Sequence, residues 1–131
     1  MEKFIPLAHI VGRVLLAVIF IMAGLNKITG DAAGTMQYME SMGVPGFLFW
    51  PTALFELLAG IAVLIGFQTR IVALLLAGFC GLSALLFHMN FADPMQAGMF
   101  MKNFTMAGGY LMLMVAGAGG YSLDSRKISA D

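Results

Sequence analysis

The chain has 131 residues, of which 60% are hydrophobic and only 11% carry charge; its mean hydropathy is +0.91. Seven basic residues balance seven acidic ones, so the sequence offers no basic surface for nucleic acid and no polybasic patch for anionic lipid. The single cysteine, Cys80, excludes an intrachain disulfide and a dithiol relay, and the composition is that of a membrane protein whose main partner is the lipid bilayer.

Four apolar runs are separated by short polar segments, and they span residues 5–25, 47–67, 71–87 and 104–121. Each run is close to the ~20 residues that a helix needs to cross ~30 Å of hydrocarbon. Strands are excluded, because four strands cannot close a barrel and an open sheet leaves backbone groups unpaired in lipid. The prediction is an all-α membrane protein, a four-helix transmembrane bundle that forms one domain over residues 1–131.

The segments between the runs predict the topology. Only three residues, Gln68 to Arg70, separate the second run from the third, so these two helices form an antiparallel hairpin. The segment 31–46 alternates apolar and polar residues and is predicted to be a partly helical outer loop; a plain solvated loop is the alternative. The positive-inside rule places both termini in the cytoplasm, because the basic residues divide into Lys3, Arg70, Arg126 and Lys127 on one side and Lys27 and Lys102 on the other.

Two opposite charges lie inside apolar runs, Arg13 in the first and Glu56 in the second. A charge within a membrane helix costs about 2.5–3.5 kcal/mol on insertion scales and is rarely kept without a partner or a task. Counted from the predicted cytoplasmic ends of their runs, Arg13 lies ~12 Å deep and Glu56 ~16 Å deep. We therefore predict an intramembrane ion pair between Arg13 and Glu56. The pair is either a structural lock on helix register or part of a polar cavity in which Glu56 accepts protons or anchors a ligand.

A second polar group is predicted near the outer end of the bundle. Lys27 ends the first helix, His88 ends the third, and Lys102 and Asn103 open the fourth, where free N–H groups add positive potential. Tyr110 shares a helix face with Asn103. These five side chains are candidate ligand-binding residues for an anion or a polarised carbonyl, and lysine contact with lipid headgroups is the alternative. The two histidines lie near opposite ends, which argues against a haem, and no metal-ligand spacing is present.

At these residues the chain resembles the DoxX family of small bacterial inner-membrane proteins. The resemblance runs from about residue 9 to residue 124. It rests on the segments GRVLL at 12–16, FIMAG at 20–24, MGVP at 42–45, FH at 87–88, MKN at 101–103, GGYL at 108–111 and YSLD at 121–124, together with Lys27 and Glu56. The resemblance implies that six positions are family motif residues: Arg13, Lys27, Glu56, His88, Lys102 and Asn103.

The resemblance implies a multi-pass protein of the bacterial inner membrane. Family members are described as quinol oxidase subunits or as membrane proteins of unknown role. The implied function is that of a subunit or accessory of a quinone-linked redox system, with no metal, haem or dithiol centre and no covalent cofactor of its own. Its implied partners are a quinone or another small amphipathic ligand, a redox protein, or a second copy of the chain. Whether the chain is itself an enzyme stays open, and the alternatives are a carrier or channel for a small solute and a scaffold whose ion pair is structural.

Overall fold

The computed structural model describes residues 1–130 and the side chains of residues 1–126. The side chains of Lys127 and Asp131 are not among those described. Lys127 is one of the basic residues used above to predict the topology. The prediction of an all-α chain is confirmed, because all regular structure in the described part is helical. The helices are α1 Ile5–Thr29, α2 Ala32–Ser41, α3 Phe49–Ile65, α4 Thr69–Phe87, α5 Pro94–Ala116 and α6 Leu123–Ala130, with 3-10 turns at Glu2–Phe4 and Gly46–Leu48.

Three helical segments of the described chain are long and apolar enough to cross a membrane: Glu2–Thr29, Gly46–Ile65 and Thr69–Phe87. Their outward faces are apolar, as lipid contact requires. Helix α5 is not among the three. Its 23 residues would span ~35 Å, but its first half carries the polar residues Gln96, Lys102 and Asn103.

The long helices pack as two antiparallel pairs, α1 with α3 and α4 with α5. Glycines let α1 and α3 approach closely. A methyl group at Gly60 would lie 2.9 Å from the backbone nitrogen of Ile21, and one at Gly24 would lie 2.8 Å from that of Leu57. Lipid supplies no hydrophobic drive between helices, so such close backbone contact is a main source of packing energy in a membrane.

An aromatic core joins the two pairs near the middle of the bundle. The ring centroid of Phe20 on α1 lies 5.8 Å from that of Phe79 on α4 and 5.6 Å from that of Tyr110 on α5. Tyr110 is fully buried, and its hydroxyl donates a hydrogen bond to the carbonyl oxygen of Leu16. Helix α5 is thereby tied to α1 as well as to α4.

Charged side chains hold the end of the bundle where residues 66–68 join α3 to α4, which we call the turn end. The turn uses left-handed backbone at Gly66 (φ 72°) and Gln68 (φ 48°). Asp124 accepts hydrogen bonds from the backbone nitrogens of Gln68 at 2.8 Å and Thr69 at 2.9 Å. It therefore caps the start of α4 from a position 55 residues away along the chain. Arg70 donates to two carbonyl groups in the last turn of α5, those of Met114 at 3.0 Å and Val115 at 2.8 Å.

Helix α5 begins and ends earlier than its apolar run, 104–121, would place it. Pro94 occupies the first turn, where its missing N–H costs nothing, and the Asp93 side chain accepts a hydrogen bond from the backbone nitrogen of Met95 at 3.0 Å. The helix ends at Ala116, and the next residue, Gly117, has φ 79°. Lys102 and Asn103 consequently lie two turns inside α5, away from the free N–H groups at its start.

Candidate functional site

A cavity of about 410 Å³ lies at the end of the bundle opposite the turn end, which we call the cavity end. Helices α1 to α5 all contribute to its wall. The apolar part of the lining includes Phe20, Met39, Phe79, Leu82, Leu86, Phe87 and Met106. The polar part includes Lys27, Thr52, Glu56, Ser83, His88, Lys102 and Asn103. A mostly apolar cavity with a few convergent polar groups is the usual form of a small-molecule site.

Helix α2 covers the cavity. Ten residues of the segment 31–46 form this helix, which starts where the Asp31 side chain accepts a hydrogen bond from the backbone nitrogen of Gly34 at 2.9 Å. The ring of Tyr38 stacks on that of Phe87 at 5.9 Å between centroids and 27° between planes. Its hydroxyl lies 3.4 Å from the carbonyl oxygen of Phe87, and Met39 is buried beneath the helix. The covering segment thus rests on the last turn of α4.

Glu56 is paired inside this cavity with Lys27. The Nζ atom of Lys27 lies 2.7 Å from Oε2 of Glu56, and the lysine side chain is 29% exposed while the glutamate side chain is 5% exposed. The second carboxylate oxygen, Oε1, accepts no hydrogen bond from the described residues. The carboxylate is therefore paired with Lys27 through Oε2, and Oε1 remains available to accept a hydrogen bond.

The predicted pair between Arg13 and Glu56 is not formed, which corrects the sequence-based expectation. Arg13 is buried at the turn end, where its guanidinium donates to the carbonyl oxygens of Ala118, Tyr121 at 2.7 Å and Leu64 at 3.3 Å. Carbonyl groups in the last turn of a helix and in the segment that follows one need such donors.

The reason is a difference in depth between the two helices. A methyl group at Gly66 would lie 3.1 Å from Nη1 of Arg13, so Arg13 is level with the end of α3, whereas Glu56 is ten residues earlier, ~15 Å along the axis. Helix α1 extends past α3 by about two turns. The sequence-based depths were counted from the ends of the two apolar runs as if those ends were level. Because α1 extends further than α3, Arg13 and Glu56 lie at different depths.

Three more of the predicted residues reach the cavity. The Nδ1 atom of His88 lies 3.0 Å from Oε1 of Gln96. Nε2 takes no part in this contact. Lys102 and Asn103 line the cavity. Among residues 1–126 neither side chain makes a hydrogen bond or an ion pair. Tyr110, the remaining candidate, does not line the cavity, because its hydroxyl is turned toward Leu16 and its ring supports Phe20 from below.

Several lining residues were not predicted from the sequence. Thr52 lies one turn before Glu56 on the same helix face, so its spacing could have shown it. Cys80 and Ser83 share a face of α4 in the same way, although Cys80 is almost fully buried and also packs in the core. Gln96 lies outside all four apolar runs, and nothing in the sequence pattern connects it with His88. No group of three or more metal-ligating side chains occurs within the described residues.

The DoxX family model matches residues 8–89, a segment that includes Lys27, Glu56 and His88. The chain belongs to the DoxX family. It is similar to "Inner membrane protein YqjF" of Escherichia coli, with 51% identity over 124 residues that cover 95% of each chain. It is also similar to "Inner membrane protein YphA" of the same organism, with 33% identity over 128 residues that cover 92% of this chain and 91% of YphA.

A third similar protein is "Putative oxidoreductase CatD" of Bacillus subtilis, with 38% identity over 77 residues that cover 59% of this chain and 57% of CatD. No solved structure matches the chain. The family, the inner-membrane relatives and the long apolar helices together make this a multi-pass protein of the bacterial inner membrane, as predicted.

Proposed function

We propose that this DoxX protein binds a small amphipathic molecule with a polar oxygen-bearing headgroup, of the quinone type, and serves as an accessory of a membrane redox system. The observation that supports this most is the Lys27–Glu56 pair in a cavity of about 410 Å³. If the ion pair served only to fix the register of the two helices, close apolar packing around it would be expected. Here an open volume adjoins the carboxylate instead.

The polar groups of the cavity suit an oxygen-bearing ring. Lys102 and the amide of Asn103 are hydrogen-bond donors for a carbonyl oxygen, and Nε2 of His88 can form a hydrogen bond with a hydroxyl, which both donates and accepts. Phe20, Phe79 and other apolar side chains form the wall that a ring or a short tail would contact. A site that offers both donors and acceptors can bind an oxidised carbonyl form and a reduced hydroxyl form of one ligand.

The redox assignment draws support from one relative, CatD, whose name contains the word oxidoreductase. In this proposal electrons come from a partner protein or from the ligand itself. Glu56 takes part in proton movement through Oε1, while Lys27 holds Oε2 in place. Lys27 and Glu56 act as one unit, since neither charge is stable in an apolar bundle without the other.

We further propose that α1, α3, α4 and α5 all cross the membrane as one domain, with both termini in the cytoplasm. Lys3, Arg70 and Arg126 lie near the turn end, against Lys27 and Lys102 at the cavity end. The basic residues near the turn end therefore outweigh those at the cavity end. Cysteines introduced at Thr35 and Ser125 in a Cys80→Ala background test this. A membrane-impermeant thiol reagent should label position 35, and not position 125, from the periplasm; the reverse pattern would invert the topology.

Mass spectrometry of lipids extracted from the purified protein tests the ligand. We expect a stoichiometric quinone-type molecule to copurify, and His88→Ala and Asn103→Leu to lose it while folded protein accumulates normally. Lys3→Met is the matched control, because Lys3 is exposed at the N-terminus. If the two cavity variants keep every copurifying molecule, the proposal is wrong. Solute flux in proteoliposomes would favour a carrier instead, and a stable protein partner without ligand or flux would favour a scaffold.

A further inference from the structure

The charges that line the cavity do not balance. Two lysines, Lys27 and Lys102, face it among the described residues, while Glu56 is the only acidic residue in its lining. The carboxylate of Glu56 forms an ion pair with Lys27 at 2.7 Å, so its negative charge is already compensated by Lys27. One positive charge, that of Lys102, is therefore left without a compensating acid.

The position of Lys102 makes this imbalance costly in a membrane. Lys102 is eight positions after Pro94 in the sequence, so it lies ~12 Å from the start of α5 along the helix axis. The acid at that start, Asp93, caps the backbone nitrogen of Met95. A lysine among apolar groups is stabilised by an anion within reach or by extending to the headgroups. Lys102 is an exposed residue that lines the cavity beside Asn103, and it makes no ion pair within residues 1–126. An anion in the cavity can therefore pair with it.

We propose that the occupant of the cavity is a monoanion, an apolar body with one ionised oxygen that binds Lys102. The inference rests on the proposed function only in taking the cavity as a ligand site. The oxyanion receives a charge-assisted hydrogen bond from Lys102 and a second hydrogen bond from the Asn103 amide, and the body of the ligand lies against Phe20 and Phe79. Two kinds of molecule share this chemistry, an acidic hydroxyquinone and a free fatty acid.

Matched ligand pairs test the charge directly. The full-length protein is reconstituted in nanodiscs of zwitterionic lipid, and binding is measured against empty nanodiscs. The first pair is 2-hydroxy-1,4-naphthoquinone, which is ionised at neutral pH, and its neutral 2-methoxy analogue. The second pair is dodecanoate and dodecanol. We expect the ionised member of at least one pair to bind about tenfold or more tightly than its neutral partner, as a hydrogen bond to a charged group requires.

Variants then assign the preference to one residue. Lys102→Met and Lys102→Gln should weaken the ionised ligand much more than the neutral one and bring the ratio of the two affinities near one, and Lys102→Arg should restore the ratio. Lys3→Met should keep the ratio of the parent protein. Two Lys102 variants are used so that one that folds poorly does not decide the outcome.

The outcomes separate this inference from the proposed function. A preference confined to the naphthoquinones identifies a quinone-type acid, and one confined to the dodecyl pair identifies a fatty acid; either supports the inference. Equal binding within both pairs, or a preference that survives the loss of Lys102, overturns it and leaves the ligand site intact. Failure of all four ligands to bind counts against the ligand site itself and overturns both.

Discussion

The Nζ atom of Lys27 lies 2.7 Å from Oε2 of Glu56, and this contact joins the last turns of α1 to the first half of α3. The same two helices are in close backbone contact further down, at Gly60 and Ile21. The cavity therefore has one wall that is fixed by both charge and packing. Its cover, α2, contacts α4 through the Tyr38–Phe87 stack and buries Met39 beneath it.

The ion pair should be measurable in a double-mutant cycle. Lys27→Met leaves a buried carboxylate and Glu56→Gln leaves a lysine without its partner, so each should lower the free energy of unfolding. Breaking a fully buried pair costs about 3–5 kcal/mol, and we expect about 1–3 kcal/mol here because Lys27 is 29% exposed. The double variant should recover much of the loss. Thermal melting in detergent measures all three proteins; strictly additive losses would contradict direct pairing.

Arg13 should behave independently of Glu56. Arg13→Leu removes the donors that serve the carbonyl groups of Ala118, Leu64 and Tyr121, so it should destabilise the turn end by about 1–3 kcal/mol. Combined with Glu56→Gln, the two losses should add within about 0.5 kcal/mol, as expected for distant sites. A coupling energy of about 1 kcal/mol or more between the two substitutions would indicate that Arg13 and Glu56 interact directly, as the sequence suggests.

The close approach of α1 and α3 predicts that a single methyl group is harmful at one glycine and harmless at another. Gly60→Ala would place a methyl group 2.8 Å from the Cγ1 atom of Ile21 and 2.9 Å from its backbone nitrogen. The helices must separate, at a cost of about 1–3 kcal/mol. Gly78→Ala is the control, because nothing lies within 4 Å of that position. Melting temperatures that fall equally for both variants, or for neither, would contradict the packing.

Removal of the cap on α4 should destabilise the turn end. Asp124→Ala deprives the backbone nitrogens of Gln68 and Thr69 of their acceptor, and the loss of an N-terminal cap typically costs about 0.5–2 kcal/mol. Limited proteolysis, which reports local opening, should cut the variant faster in the segment after residue 116. Glu2→Ala removes an exposed acid near the other terminus and should leave both the melting temperature and the cleavage pattern unchanged.

Cys80 provides a native reporter of the cover over the cavity. It lines the cavity and is only 1% exposed, so N-ethylmaleimide should modify it slowly. Tyr38→Ala removes the stack on Phe87 and should increase the labelling rate several-fold. Tyr121→Ala, which removes an exposed tyrosine from the opposite end, should not. Equal rates in all three proteins would show that the reagent does not reach Cys80 past α2.

The sequence pattern predicts the helices better than it predicts the partners within them. Apolar runs locate α1, α3 and α4 because lipid requires continuous hydrophobic segments. Glu56 stands out as a charge inside such a segment and Lys27 as a charge just after one. Their pairing depends on how far α1 extends past α3, and no single run encodes that offset. The start of α5 at Pro94 is not apparent from the sequence, because Pro94, Gln96 and Gly98 interrupt the apolar pattern of its first two turns and Lys102 and Asn103 follow. Gln96, the partner of His88, lies in those same turns.

The hydrogen bonds at the turn end also bear on the order in which the protein assembles at the ribosome. Arg13 is made early, yet its acceptors at Ala118 and Tyr121 are 105 and 108 residues later, and the cap of α4 is supplied by Asp124. Contacts between α1 and α3 can form early in synthesis, whereas these hydrogen bonds cannot form until residues 118–124 have left the exit tunnel. A nascent chain released before residue 118 would therefore keep its apolar helices while the guanidinium of Arg13 lacked the carbonyl groups of Ala118 and Tyr121.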